Sequence, residues 1–331
     1  MNYLSNFIRL TCILIGFSTK IKLQKKFLQQ SIGSILTVSR KTNDGSLDED
    51  DFRKIRLYGS AIPAMLGETF CTLTGKNMSD KERLAMTCLG AITGLFDDFF
   101  DKKNMPESRI RLLIDNKIEA IPENSNEQLF MRLNRMAYEN CTNKDEFSMN
   151  FSNVFEGQVQ SKRQLSRDIE NSDIKDIILY KGGVSMLLYS CALSENLSVA
   201  EKKIIFKLGS IGQLENDIFD VYKDFREGIK TLVTEETKIS NLRETYSGLI
   251  AEIFQLVRET SHSQQNQQKF LRILTLVLCR GYVCLDFYKK TEKLTNGVFK
   301  VSAYSKKDLI CDMERPSSVF RLLHYAAKMQ Y

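Results

Sequence analysis

Two acidic segments some 120 residues apart hold the side chains best suited to chemistry: Asp97-Asp98-Phe99-Phe100-Asp101 and Asn216-Asp217-Ile218-Phe219-Asp220-Val221-Tyr222-Lys223-Asp224. Both lie in stretches whose apolar spacing predicts helix. Asp97 and Asp101 are four apart, so their carboxylates share a helical face, with Asp98 beside them. In the second segment Asn216, Asp220 and Asp224 repeat every four residues along one face. Carboxylates stacked in this way repel one another unless cations lie between them. Oxygen-only ligands on two helices suit Mg²⁺, which keeps some waters and completes its shell with phosphate oxygens. The chemistry implied is metal-assisted departure of a diphosphate. An acidic helix face is ordinarily a solvated one. Here, however, apolar sequence brackets both segments: residues 90–96 precede the first and residues 208–212 lead into the second.

The first segment resembles the DDxxD motif of class I isoprenoid synthases, a superfamily of all-helical enzymes that handle prenyl diphosphates. The second is similar to two variants within that superfamily. Read with Asn216, Asp220 and Asp224 as ligands, it resembles the metal triad of terpene cyclases. Read as Gln213, Asn216, Asp217 and Asp220, it resembles the second motif of chain-elongating prenyltransferases, with Asn216 in place of the first aspartate. The resemblance runs from about residue 50 to about residue 290. It implies an all-α fold, a single large helical bundle with a central active-site cavity. It also implies three Mg²⁺ ions held by Asp97, Asp98 and Asp101 on one helix and by Asn216, Asp217, Asp220 and Asp224 on the other.

Further candidates follow from that resemblance. Lys181, ahead of Gly182 and Gly183, matches a lysine that elongating synthases carry upstream of their second motif. The glycines would let the helix deform and bring the ammonium toward phosphate. Arg163 and Arg167, four apart, are candidates for the diphosphate-sensing arginine of cyclases, and Lys223 follows Asp220 by three residues. Asp97, Asp98, Lys181 and Lys223 are the expected catalytic residues. Residues 53–59 resemble a degraded form of the basic motif that binds a second diphosphate in elongating enzymes, with Asp51-Phe52 in place of two glycines. Arg280-Gly281-Tyr282 bears a loose resemblance to an Arg-Tyr pair of cyclases. Below the first motif, Gly90, Thr93 and Gly94 would leave a shaft open for a chain of C20 or more, with Phe96 among the lining aromatics. The expected reaction is therefore ionisation of one prenyl diphosphate by a terpene synthase. The alternatives are an elongating prenyltransferase and a non-catalytic isoprenoid-binding protein; head-to-head condensation of the squalene or phytoene type is disfavoured, because both acidic motifs of those enzymes normally take other forms.

The elements that must position these residues are helices almost throughout. The 331 residues are 43% hydrophobic, with 4 Pro and 17 Gly, ample for one large core. Apolar periodicity predicts helices near 51–75, 79–102, 126–141, 145–167, 173–194, 198–227, 241–261 and 265–291. Turn signals fall near residues 77–80, 104–106, 122–125 and 194–198, and Ser79 and Ser198 start capping boxes with Glu82 and Glu201. No period-2 strand pattern or internal repeat is visible. The eight cysteines form no CxxC pair and only two histidines exist. That argues against a zinc site and for a reducing, cytoplasmic setting.

Charge is segregated. Residues 1–43 hold Arg9, Lys20, Lys22, Lys25, Lys26, Arg40 and Lys41 and no acid, out of 47 basic and 41 acidic residues in all. Residues 44–331 form the expected catalytic domain. The basic segment, apolar over 7–17, reads either as a helix packed on that domain or as an element on an anionic membrane surface. A membrane contact through residues 1–43 and a homodimer are the partners expected besides the substrate; nucleic acid is not among them.

Overall fold

A computed structural model of the chain describes residues 3–193 and 197–329. The described residues are all-α, with no strand. In order they form α1 (Tyr3–Ser31), α2 (Gly33–Lys41), α3 (Glu49–Ile62), α4 (Glu68–Thr74), α5 (Asp80–Asp101), α6 (Glu107–Ile114) and α7 (Ser125–Asn140). These are followed by α8 (Lys144–Ser161), α9 (Asn171–Ser190), α10 (Val199–Glu227), α11 (Ile239–Arg258), α12 (Gln264–Glu292), α13 (Lys306–Leu309) and α14 (Pro316–Lys328). The predicted turn at 194–198 falls partly on Ser194, Glu195 and Asn196, which lie outside the described residues.

Local chemistry explains where the two motif-bearing helices begin. Ser79 and Glu82 form a reciprocal capping box at the start of α5. Ser198 and Glu201 do the same for α10, which Gly228 ends in a left-handed conformation at φ +74°. Each box satisfies amide groups that the first helical turn leaves unpaired.

The chain divides into two compact units. One comprises Ile15–Gln158 with Leu187–Asn196; the other comprises Met1–Leu14, Val159–Met186 and Leu197–Tyr331. In the first unit α5 is the central element, packing on α3 and on α7. Its contact with α3 is nearly backbone to backbone, since a Cβ on Gly90 would lie 2.5 Å from the Tyr58 carbonyl oxygen. The opposite side of α5 is held by an aromatic cluster of Phe96, Phe99, Phe100, Phe130 and Phe151.

In the second unit α10 packs on α11 and α12, and α12 on α14. The crossing of α9 with α10 is closer still. A Cβ on Gly182 would lie 2.2 Å from Gly209 O, and one on Gly209 would lie 2.1 Å from Gly182 O. Ser210 Oγ donates to Leu179 O at 2.7 Å and fixes the register. The glycines that were expected to let α9 deform therefore serve a rigid helix crossing, and α9 runs unbroken through them.

This crossing generates a prediction. Gly209→Ala drives a methyl group into a backbone carbonyl that no rotamer change can move. It should cost about 2 kcal/mol or more and lower the thermal midpoint by several degrees. Gly212→Ala, on the same helix with open space around it, should stabilise slightly through helix propensity. Thermal unfolding followed by circular dichroism distinguishes the two, and equal effects would refute the crossing.

Candidate functional site

On α10 the expected ligands differ in burial. Asp217 is 4% exposed and Asp224 8%, Asp220 is half-buried, and Asn216 is exposed. Helix geometry gives the reason. Seven residues bring Asp217 within about 20° of Asp224, whereas the eight residues from Asn216 drift by about 80°. Asp217, Asp220 and Asp224 thus lie toward the buried side of α10, whereas Asn216 of the expected ladder is exposed.

Asp217 Oδ1 accepts a hydrogen bond from Gln213 Nε2 at 2.9 Å, and its Oδ2 is buried with no hydrogen-bond partner among the described residues. Burial pushes the Asp217 carboxyl up to about 8, and the charges of Asp224 and Asp220 push the same way. Asp224 is raised to about 7, first by burial and then by Asp220. Lys181 counteracts both shifts, which places its charge beside this face, and the exposed Lys223 acts on Asp224. One residue from Asn216, the buried Glu215 is also raised by burial, but it is compensated by Arg280, whose Nε lies 3.1 Å away.

The two arginines expected to sense diphosphate are placed differently. The predicted helix over 145–167 ends at Ser161, followed by a short 3₁₀ turn at Lys162–Leu165. Arg163 and Arg167 therefore do not share a helical face. Arg163 pairs with Asp173 at 2.6 Å near the surface. Arg167 is exposed, and its carbonyl oxygen accepts from Lys230 Nζ.

The first segment is largely neutralised by its own unit. Asp98 is 4% exposed and pairs with Lys54 Nζ at 2.9 Å and with Lys102 Nζ at 3.0 Å. Two ammonium groups already occupy the oxygens that the sequence offered to metal. Asp97, half-buried, accepts from Gln158 Nε2 of α8, and Asp101 is exposed at the end of α5.

Beneath Asp97, Thr93 Oγ1 lies 2.8 Å from the Tyr189 hydroxyl. Burial raises the Tyr189 phenol, and the charges of Asp97 and Tyr58 act in the same direction. Tyr58, Thr93, Asp97 and Tyr189 thus form one polar and aromatic neighbourhood. Tyr189 and Gln158 carried no signal in the sequence, because nothing in their local pattern distinguishes them from core or surface residues.

Three expected lining residues do not leave a shaft open. The Cβ position of Gly90 is filled by the Tyr58 backbone, and that of Gly94 by the Lys54 side chain at 2.9 Å. These glycines exist for the close approach of α3. Phe96 turns away into the aromatic cluster, 5.4 Å from the rings of both Phe100 and Phe151. The argument for a chain of C20 or more, which rested on Gly90, Thr93 and Gly94, therefore fails at Gly90 and Gly94.

Among the described residues no group of three His, Cys, Asp or Glu side chains is assembled to hold a metal ion by itself. The donor chemistry of α10 nevertheless fits Mg²⁺. Asp217 Oδ2 is an orphaned buried oxygen with Asp220 and Asp224 on its face, and Mg²⁺ retains several waters and needs only one or two carboxylates.

No protein-family model and no curated protein sequence matches the chain. Among solved structures it is similar, at 12% identity, to one described as a dehydrosqualene synthase in complex with ligand. The superposition covers 84% of this chain and 96% of that one, with a TM-score of 0.49. A likeness that distant assigns neither chemistry nor substrate.

Two expectations follow. Without divalent cations, the native protein holds protons on Asp217 and Asp224 that the unfolded chain releases near pH 4. Stability should therefore decline as pH rises from about 5 to 8. Asp217→Asn should flatten this decline and exceed the parent protein in thermal midpoint at pH 8; an identical pH profile would refute the buried-carboxylate assignment. Separately, Gly94→Phe should lower the unfolding midpoint by displacing Lys54. A stable Gly94→Phe protein would show that the space is open after all.

Proposed function

We propose that this chain is a Mg²⁺-dependent terpene synthase that ionises a prenyl diphosphate and releases diphosphate. The observation that carries the reading is the buried Asp217 carboxylate, whose Oδ2 is capped by no group among the described residues, on one helical face with Asp220 and Asp224. Bound there, Mg²⁺ would neutralise diphosphate charge as the allylic C–O bond breaks. The protein's own part is to hold ligands and donors in place. Asp217, Asp220 and Asp224 supply oxygens. Lys181 is set by the glycine crossing and Lys223 by α10, and both offer ammonium donors to the departing diphosphate.

A second diphosphate site is less well supported. Arg53 and Lys54, which would bind it, are committed to Asp50 and Asp98. That favours a single allylic substrate over chain elongation.

The test is incubation with C10, C15 and C20 prenyl diphosphates, with and without isopentenyl diphosphate. Diphosphate should appear from the allylic substrate alone, in Mg²⁺ but not in chelator. Asp97→Ala and Asp217→Asn should each reduce release roughly a hundredfold or more, with helical content retained. Turnover only when isopentenyl diphosphate is present would identify an elongating prenyltransferase. Binding without turnover of any of them would identify a non-catalytic isoprenoid-binding protein.

A further inference from the structure

The acid-free N-terminal segment forms one helix, α1, 29 residues and about 44 Å long. Its faces differ sharply. Leu10 is fully buried, the Asn6 amide donates to Ala327 O at 3.1 Å, and the Gln24 amide donates to Gly59 O and Thr87 Oγ1. At about 100° per residue these positions fall on one side. On the other side Leu4, Ile8 and Ile15 lie within about 40° of one another, each more than half exposed, as is Leu23 further on. Exposed Arg9, Lys22, Lys25 and Lys26 flank them. α14 extends the patch: Phe320, also more than half exposed, has its ring 6.0 Å from Phe7, and Arg321 and Lys328 are exposed beside it. Neither α1 nor α14 contains an acidic residue.

We infer that α1 and α14 together form a docking surface for an anionic lipid bilayer, with α1 lying in the interface rather than crossing it. Among the described residues α1 alone is long and apolar enough to span a membrane. Crossing would strip Asn6 and Gln24 of their buried hydrogen bonds and leave their partners unsatisfied. Lying flat keeps those bonds, sinks Leu4, Ile8, Ile15 and Phe320 into the acyl boundary, and sets the lysines among anionic headgroups. Charge complementarity commits the surface to anionic lipid. The inference does not depend on the enzymatic reading, because partition is measured without substrate.

The full-length protein is sedimented with phosphatidylcholine vesicles with and without phosphatidylserine. Binding should require phosphatidylserine. It should fall roughly tenfold or more in a Lys22→Gln, Lys25→Gln, Lys26→Gln variant, and likewise in Phe320→Glu. Circular dichroism checks the fold, and the lysine variant changes only exposed residues, so it remains informative if Phe320→Glu fails to fold. The chain contains no Trp, so Ile8→Trp provides a clean reporter whose emission should shift to the blue on binding. Equal sedimentation with both vesicle types would overturn the inference, as would an unshifted Ile8→Trp signal with bound protein. A dimer in light scattering that Phe320→Glu dissolves would overturn it too, showing that a second copy covers the patch.

Discussion

A carboxylate removed from water has to be protonated, paired with a cation already present, or ligated to one that arrives. That requirement separates the two acidic helices, which look alike in sequence. On α5 it is met internally: Lys54 and Lys102 close on Asp98. On α10 Glu215 is met in the same way by Arg280. Asp217 is not. Its one hydrogen-bond donor is the Gln213 amide, which carries no charge, and Lys181 acts on it as a neighbouring field rather than a contact. Of the buried carboxylates on these helices, Asp217 has the most to gain from an incoming cation. A ligand that supplies one would release its proton and relieve its repulsion from Asp220 and Asp224 together.

The field that Lys181 exerts depends on how closely α9 approaches α10. Side chains of ordinary size between two helices keep their axes 8–10 Å apart. The reciprocal Gly182 and Gly209 contact removes that spacer, and the hydrogen bond from Ser210 to Leu179 O stops the helices from sliding. The ammonium is therefore positioned by packing. The same device operates where α3 meets α5 at Gly90 and Gly94, with the opposite consequence for function. There the glycines bring Lys54 to Asp98 and fill the space a substrate chain would have used. A stripe of small residues has the same appearance in both places. What differs is the element lying against it.

How much was legible follows from the range of each interaction. The capping boxes at Ser79 and Ser198 act over three residues and were visible, and the main helices follow from apolar period alone. The two acidic segments could be found because their carboxylates recur at helical spacing. The identity of the working face could not. Asn216 and Asp217 are adjacent, both fit a motif, and only tertiary packing around α10 decides which is buried. Lys54 and Asp98 are 44 residues apart, and Thr93 and Tyr189 are 96. No local pattern encodes such pairings. Arg163 and Arg167 were misplaced because the sequence there continues to read as helix, whereas the chain leaves the helix at Ser161.

The distribution of charge supplies the last step. Beyond residue 43 the acids outnumber the bases by one, and several bases are already engaged: Arg53 by Asp50, Lys54 and Lys102 by Asp98, Arg280 by Glu215. Such a body exerts little long-range attraction on a dissolved diphosphate, because its opposite charges cancel within a Debye length. The uncancelled positive charge lies in residues 1–43, along α1 and into α2. A prenyl diphosphate is an amphiphile, anionic at one end and hydrocarbon at the other, and partitions into bilayers by the same two forces that act on α1. On the function and the docking surface that we propose, a protein of this charge pattern would meet its substrate at the membrane, where α1 would supply the attraction that the nearly neutral remainder of the chain lacks.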